Sequence, residues 1–213
     1  MNTNLKLAPM PIWGEGESLS FRYIRMEDKI ISRACTALAE GDLEVAKRIV
    51  EMEYPHRPLK PNSRHYTEYQ STKIFVRDGF IDRYSRKRLV FPPVLRLLSN
   101  LMPGVFPFQK NWKMSECHIA YWQLFPTIDH IIAVARGGED EDRNWVTTSM
   151  LRNSAKSNWL LEELGWVLYP PGELKDWDGL IHWFMEFVEN HFEILNVPYI
   201  YKWHKAAIRA IEI

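Results

Sequence analysis

Near the start of the chain, Ile30, Ile31, Ala34 and Leu38, then Leu43, Ala46, Ile49 and Val50, recur at the three- and four-residue spacing of an amphipathic helix. Gly41 falls between the two series, so residues 26–39 and 42–53 read as a helical hairpin. Residues 1–20, with Pro9, Pro11, Gly14 and Gly16, read as an irregular lead-in. Pro55, Pro58 and Pro61 form a stiff connector that also carries His56, Arg57, Lys60 and Arg64. Towards the other end, Leu180, Ile181, Phe184, Phe187, Val188 and Ile194 make one broad apolar stripe over about residues 176–195, and a last helix spans 199–211. Tyr169-Pro170-Pro171-Gly172 stops regular structure before that pair.

The middle of the chain follows another pattern. Residues 69–91 alternate aromatic and basic side chains and predict a helical turn and a short hairpin. Residues 92–125 are rich in proline and aromatics, with one apolar helical stretch at Val94–Leu101; Trp112, Tyr121, Trp122 and Phe125 are expected to pack over the segment that follows. There, Ile128, Ile131, Ile132 and Val134 are β-branched and Gly137-Gly138 can reverse the chain, which predicts a strand entering a tight loop. Residues 144–148 (NWVTT) read as the returning strand. Thr148 or Ser149 can cap a helix that starts near Met150 and carries Arg152, Asn153, Lys156, Leu160 and Leu161. This reading places Asp129 and His130 at the start of the first strand and Asn153 on the first turns of a helix packed across both strands.

Composition narrows the class. The 213 residues, 46% of them hydrophobic and 9 of them Trp, suffice for a packed core. The longest apolar runs fall well short of a membrane span, and the first residues lack a basic stretch followed by an apolar one. With Cys35 and Cys117 the only cysteines, a disulfide scaffold is not expected, and a soluble cytoplasmic protein is. The net charge of zero hides an uneven distribution: residues 54–159 hold 16 Lys and Arg against 9 Asp and Glu, between two acidic flanks. A basic centre suits a polyanion such as nucleic acid. The same distribution also describes a solvated surface of mixed charge.

The run from Thr127 to Lys156 carries an Asp-His pair, a Gly-Gly turn, a lone Asn and a helical Asn-x-x-Lys. It resembles the ββα-metal core of the HNH endonuclease family through Asp129, His130, Gly137, Gly138, Asn144, Asn153 and Lys156. Residues 74–92 are similar to the knuckle that precedes this core in many members. Together the two segments cover roughly a quarter of the chain. The resemblance implies an α+β fold: a ββα-metal HNH core with an N-terminal helical hairpin and C-terminal helices. The expected regions are 1–60, 61–172 and 173–213, in one compact unit.

In that reading His130 is the general base, because imidazole titrates where a water must be deprotonated. Asp129 and Asn153 supply oxygen ligands, which favour Mg²⁺ or Mn²⁺ over zinc. Neighbouring residues on a strand point to opposite faces, so Asp129 and His130 are expected to approach a phosphate from different sides. Asn144 corresponds to the family's middle Asn, which braces the loop and helps to orient the His. Lys156 and Arg152 are phosphate-contact candidates, and Arg77, Arg83, Arg86, Lys87 and Arg88 are candidates for tracking a DNA backbone. For Arg152 and each of these five, plain solvated surface is the alternative.

One departure from the family is clear. The positions matching its zinc-binding cysteines are Asp82, Ser85, Ser149 and Arg152, so no structural zinc is expected. The other histidines, His56, His65, His118, His182, His191 and His204, have no metal-ligand spacing. The resemblance thus implies a DNA endonuclease of restriction or defence type, dependent on Mg²⁺ or Mn²⁺ and leaving 5′-phosphate and 3′-hydroxyl ends. DNA is the expected partner, a membrane is not, and a homodimer is compatible with the terminal helices. A phage or mobile-element nicking enzyme, or a catalytically silent nucleic-acid-binding protein, stands as the alternative.

Overall fold

The two helices anticipated near the N-terminus are α1 (Glu27–Ala39) and α2 (Leu43–Glu53). Small side chains meet between them: Ala34, Ala37 and Ala46 are buried, with Ile49 and Val50 packed alongside. The Asp42 carboxylate caps α2 by accepting from the Val45 N–H at 3.0 Å, and Arg33 pairs with Glu53 across the hairpin. The structure, a computed structural model, describes residues 27–56 and 66–211. The lead-in over 1–20 and the connector residues Arg57, Lys60 and Arg64 lie outside them. The chain divides into two compact units, Met1–Pro58 and Leu59–Ile213, and the hairpin belongs to the first.

In the second unit, α3 (Glu68–Arg77) opens with a capping box: Thr67 Oγ1 accepts from the Gln70 N–H, and the Gln70 side chain returns a bond to the Thr67 N–H. Helix α4 (Pro92–Leu101) begins with two prolines, whose missing N–H groups cost nothing in a first turn. After the short α5 (Ala120–Gln123) come β1 (Pro126–His130), β2 (Trp145–Ser149) and α6 (Met150–Lys156), then α7 (Ile181–Asn190) and α8 (Pro198–Ile211). The described residues therefore form eight α-helices and a two-stranded antiparallel sheet, a mixed and helix-rich architecture. Its core gathers around Phe91, whose ring meets Phe80, Phe184 and Trp203 edge-on at 5.5–6.0 Å. These contacts join α7 and α8 to the loop leading into α4.

The aromatic insertion packs chiefly on α4, where the sequence had suggested a cover for the β unit. Tyr121 is buried and bonds Ser99 and the Leu95 carbonyl, while the Arg96 guanidinium sits 3.4 Å from the centre of the Phe108 ring. Only its end reaches the β unit: the Phe125 carbonyl accepts from the Met150 N–H at the start of α6.

Strands β1 and β2 pair in register from Pro126↔Ser149 to His130↔Trp145. Asp129 and His130 are thus the last residues of β1, not the first. The strand stops there because Asn144 takes both backbone groups of Ile132 and Val134–Arg136 then curls into a 3-10 turn, so Ile131, Ile132 and Val134 belong to the loop. Helix α6 ends at Lys156, short of Leu160 and Leu161. Ser157 takes a positive φ of 48° and its N–H bonds the Asn153 carbonyl, which closes the helix.

Two buried carboxylates fix this hairpin to the loop after α3. Asp78 accepts from the Thr147 N–H at 2.7 Å and pairs with Arg77 and Arg83. Asp82 accepts from the Tyr84 N–H at 2.9 Å, the Ser149 N–H at 3.0 Å and the Thr148 hydroxyl at 3.1 Å. Asp82 and Ser149, two positions matched to the family's zinc cysteines, are therefore joined by a direct hydrogen bond.

Candidate active site

The loop between the strands is set by two glycines and an asparagine. Gly137 has φ +91°, a conformation that disfavours a side chain. Gly138 answers a different need: a Cβ there would lie 1.8 Å from the Ile132 carbonyl oxygen and 2.9 Å from Asn144 Nδ2. Asn144 fills the loop. Its Oδ1 accepts from the Ile132 N–H at 2.9 Å, and its Nδ2 donates to the carbonyls of Ile132 (2.9 Å) and Glu139 (2.7 Å). The buried amide thus holds together the chain leaving β1 and the chain entering β2.

Helix α6 presents Asn153 and Lys156, three residues apart and so on neighbouring positions of one face, to β1. Ser149 starts the helix by accepting from the Arg152 N–H at 3.2 Å. Asn153 Nδ2 donates to Thr127 Oγ1 at 3.0 Å and to the Ile128 carbonyl at 3.3 Å. Lys156 departs from the phosphate-contact expectation. It is fully buried, and its Nζ meets Asp129 Oδ2 at 2.9 Å and the His130 carbonyl at 2.7 Å. A helix position that faces the strand pair cannot also face solvent, so this cation serves the interior. Tyr84 adds a second donor to Asp129 Oδ2 at 2.8 Å. Burial, and then the Asp129 charge, push its phenol well above the usual range, which keeps the proton on the donor.

These contacts bear on a metal. Asp129 Oδ2 is engaged twice, whereas Oδ1 accepts no hydrogen bond among the described residues. The Ile128 and Thr127 contacts use the Asn153 nitrogen, so its amide oxygen likewise accepts none there. Carboxylate and amide oxygens are the donor types that a hard divalent ion takes while keeping most of its waters. The Lys156 ammonium offsets part of the Asp129 charge. Among the described residues there is no group of three or more His, Cys, Asp and Glu side chains that could hold a metal ion.

His130 turns the other way, as alternation along a strand requires. Its Nε2 lies 2.8 Å from Asp140 Oδ1, 3.1 Å from the Trp145 indole nitrogen and 3.4 Å from the Tyr66 hydroxyl. Trp145 Nε1 and the Tyr66 hydroxyl also approach Asp140 Oδ1, at 3.0 and 3.3 Å. Sequence reasoning missed Tyr66, Tyr84, Asp140 and Trp145. Trp145 had a findable signal, since a hairpin closed around residues 131–144 pairs it with His130. The other three are brought in by loops, which carry no periodicity.

The basic candidates divide. Arg77 is engaged by Asp78, Asp142 and the Trp145 carbonyl, and Arg83 by Asp78 and the Tyr169 carbonyl, so both brace the fold instead of presenting free donors to a DNA strand. Arg152 lies over the Trp166 ring at 4.8 Å. Arg86, Lys87 and Arg88 are exposed, with Arg86 over Tyr169 and Arg88 over Trp177. Beside His130 the loop is acidic, with Glu139, Asp140, Glu141 and Asp142 exposed; Arg143 pairs with Glu139 and Glu141.

Compared with protein-family models, curated proteins and solved structures, the chain matches none of them. Among the described residues, no helix is long and apolar enough to cross a membrane.

Proposed function

We propose that this protein is a divalent-metal-dependent DNA endonuclease of the HNH type, with its active site at the β1 end and α6. The observation that supports it is one of order and place. Asp129-His130, Gly137-Gly138, Asn144 and Asn153 follow one another along an antiparallel strand pair and the helix capped at its end, with Asn153 hydrogen-bonded to β1 two residues from Asp129. In this reading the imidazole of His130 takes a proton from water, the resulting hydroxide attacks phosphorus, and the bond to the 3′ oxygen breaks. The 3′ oxygen then gains a proton from solvent, leaving a 5′-phosphate. Asp129 and Asn153 offer oxygens to Mg²⁺ or Mn²⁺, whose charge would stabilise the crowded phosphate. Asn144 keeps the loop closed, and Arg86, Lys87 and Arg88 supply positive charge to the DNA backbone. A restriction or defence role is the preferred biology, with a mobile-element nicking enzyme as its neighbour in chemistry.

The Lys156–Asp129 ion pair favours a second reading, a silent nucleic-acid-binding protein whose internal cation stands where a metal would otherwise compensate the carboxylate. One assay separates the two. Purified protein is incubated with supercoiled and linear DNA, methylated and unmethylated, in Mg²⁺, Mn²⁺ or EDTA, beside His130→Ala. Metal-dependent cleavage lost in His130→Ala supports the nuclease. Salt-sensitive DNA binding without cleavage supports the silent module.

A further inference from the structure

We infer that Asp140 is a positioning residue that fixes the His130 tautomer, placing the ring proton on Nε2 and leaving Nδ1 as the proton acceptor. Its catalytic consequence rests on the nuclease reading above.

The hydrogen bonds around the ring carry the inference. Nε2 faces two groups of opposite character: the Asp140 carboxylate oxygen at 2.8 Å, which offers lone pairs, and the Trp145 indole N–H at 3.1 Å, which offers a proton. A bare Nε2 accepting from the indole would set its lone pair against the carboxylate at the shortest distance in the cluster. With the proton on Nε2 that conflict disappears. The imidazole N–H then donates to Asp140 Oδ1, and the indole N–H, 3.0 Å from the same oxygen, donates there too. The Tyr66 hydroxyl at 3.3 Å is a further donor to that oxygen. Every proton in the cluster thus points at one carboxylate.

Nδ1 takes no hydrogen bond from the described residues, so it carries the free lone pair on the opposite side of the ring. A base whose second nitrogen is held by a carboxylate keeps its orientation and tautomer. Asp140 itself is half exposed on the loop that Asn144 closes. It acts through His130 and touches no reacting atom.

Removing the carboxylate has a specific consequence. In Asp140→Ala the indole N–H is the donor left nearest Nε2, so the ring proton is expected to move to Nδ1, the nitrogen that must accept. The test uses the full chain labelled with ¹⁵N-histidine, at about pH 8.5 where an ordinary imidazole is neutral, with His130 assigned by difference from His130→Gln. Long-range ¹H–¹⁵N spectra read which nitrogen bears the proton, independently of any activity. The expected result is Nε2–H in the wild type and Nδ1–H in Asp140→Ala. Alongside, kcat for DNA cleavage should fall on the order of 100-fold in Asp140→Ala, with KM within about threefold, and recover in part in Asp140→Glu.

A wild-type ring protonated on Nδ1 overturns the inference, as does unchanged kcat in Asp140→Ala. If the wild type cleaves no DNA, the nuclease reading fails, and the ring spectra alone decide the assignment of Asp140.

Discussion

Replacing Lys156 with Met removes a buried cation from the candidate site while keeping an unbranched stem in its fully buried slot. Two contacts are lost: the ion pair to Asp129 at 2.9 Å and the hydrogen bond to the His130 carbonyl at 2.7 Å. Taking away one partner of a buried pair costs about 3–5 kcal/mol, because the other charge is left uncompensated. Asp129 keeps the Tyr84 hydroxyl and a small exposed area, which places the cost at the lower end, about 3 kcal/mol. For a folded unit of this size, each kcal/mol moves Tm by about 2–4 °C, so Lys156→Met should melt roughly 6–12 °C below the wild type in EDTA. Lys202→Met, at an exposed position of α8, serves as the control. The metal arm adds a second readout. With its charge uncompensated, Asp129 should hold Mg²⁺ more tightly in the variant, so excess Mg²⁺ should raise the Tm of Lys156→Met more than that of the wild type. A variant that melts within about 2 °C of the wild type in EDTA would refute the internal-cation account of Lys156.

Two further perturbations address the scaffold. Gly138→Ala should cost roughly 2–3 kcal/mol, since the new Cβ must push the Ile132 carbonyl away and break the Asn144 brace; amide exchange at Ile132 should rise, and unchanged protection there would contradict the clash. Asp82→Ala strands the N–H groups of Tyr84 and Ser149 and the Thr148 hydroxyl, for a loss of roughly 3 kcal/mol or more in urea denaturation. A change within about 0.5 kcal/mol would show that Asp82 does not tie the loop to β2.

The helices were legible where one face is buried. Ala34 and Ala46 in the hairpin, and Ile181, Phe184 and Val188 in α7, sit where their spacing places them, because a helix repeats its exposure every few residues. The element ends were less legible. The β-branched residues Ile131, Ile132 and Val134 fall outside β1, since Asn144 captures the backbone of Ile132 before pairing can continue. Helix α6 stopped at Lys156 although Leu160 and Leu161 continue its apolar spacing, because Ser157 turns the backbone over.

The candidate site shows the same division. The chain by itself determined the order of Asp129, His130, Asn144 and Asn153, and alternation along a strand was enough to send Asp129 and His130 to opposite sides. Tertiary structure alone decided what each of them meets. Lys156 became the buried partner of Asp129 because α6 lies on β1, and Asp140, Trp145 and Tyr66 gathered on His130 because a closed loop and a distant segment converge there. Periodicity records which face of an element is buried, but a polar contact between loops is fixed by the path of the chain in space, and that path leaves no repeat to read.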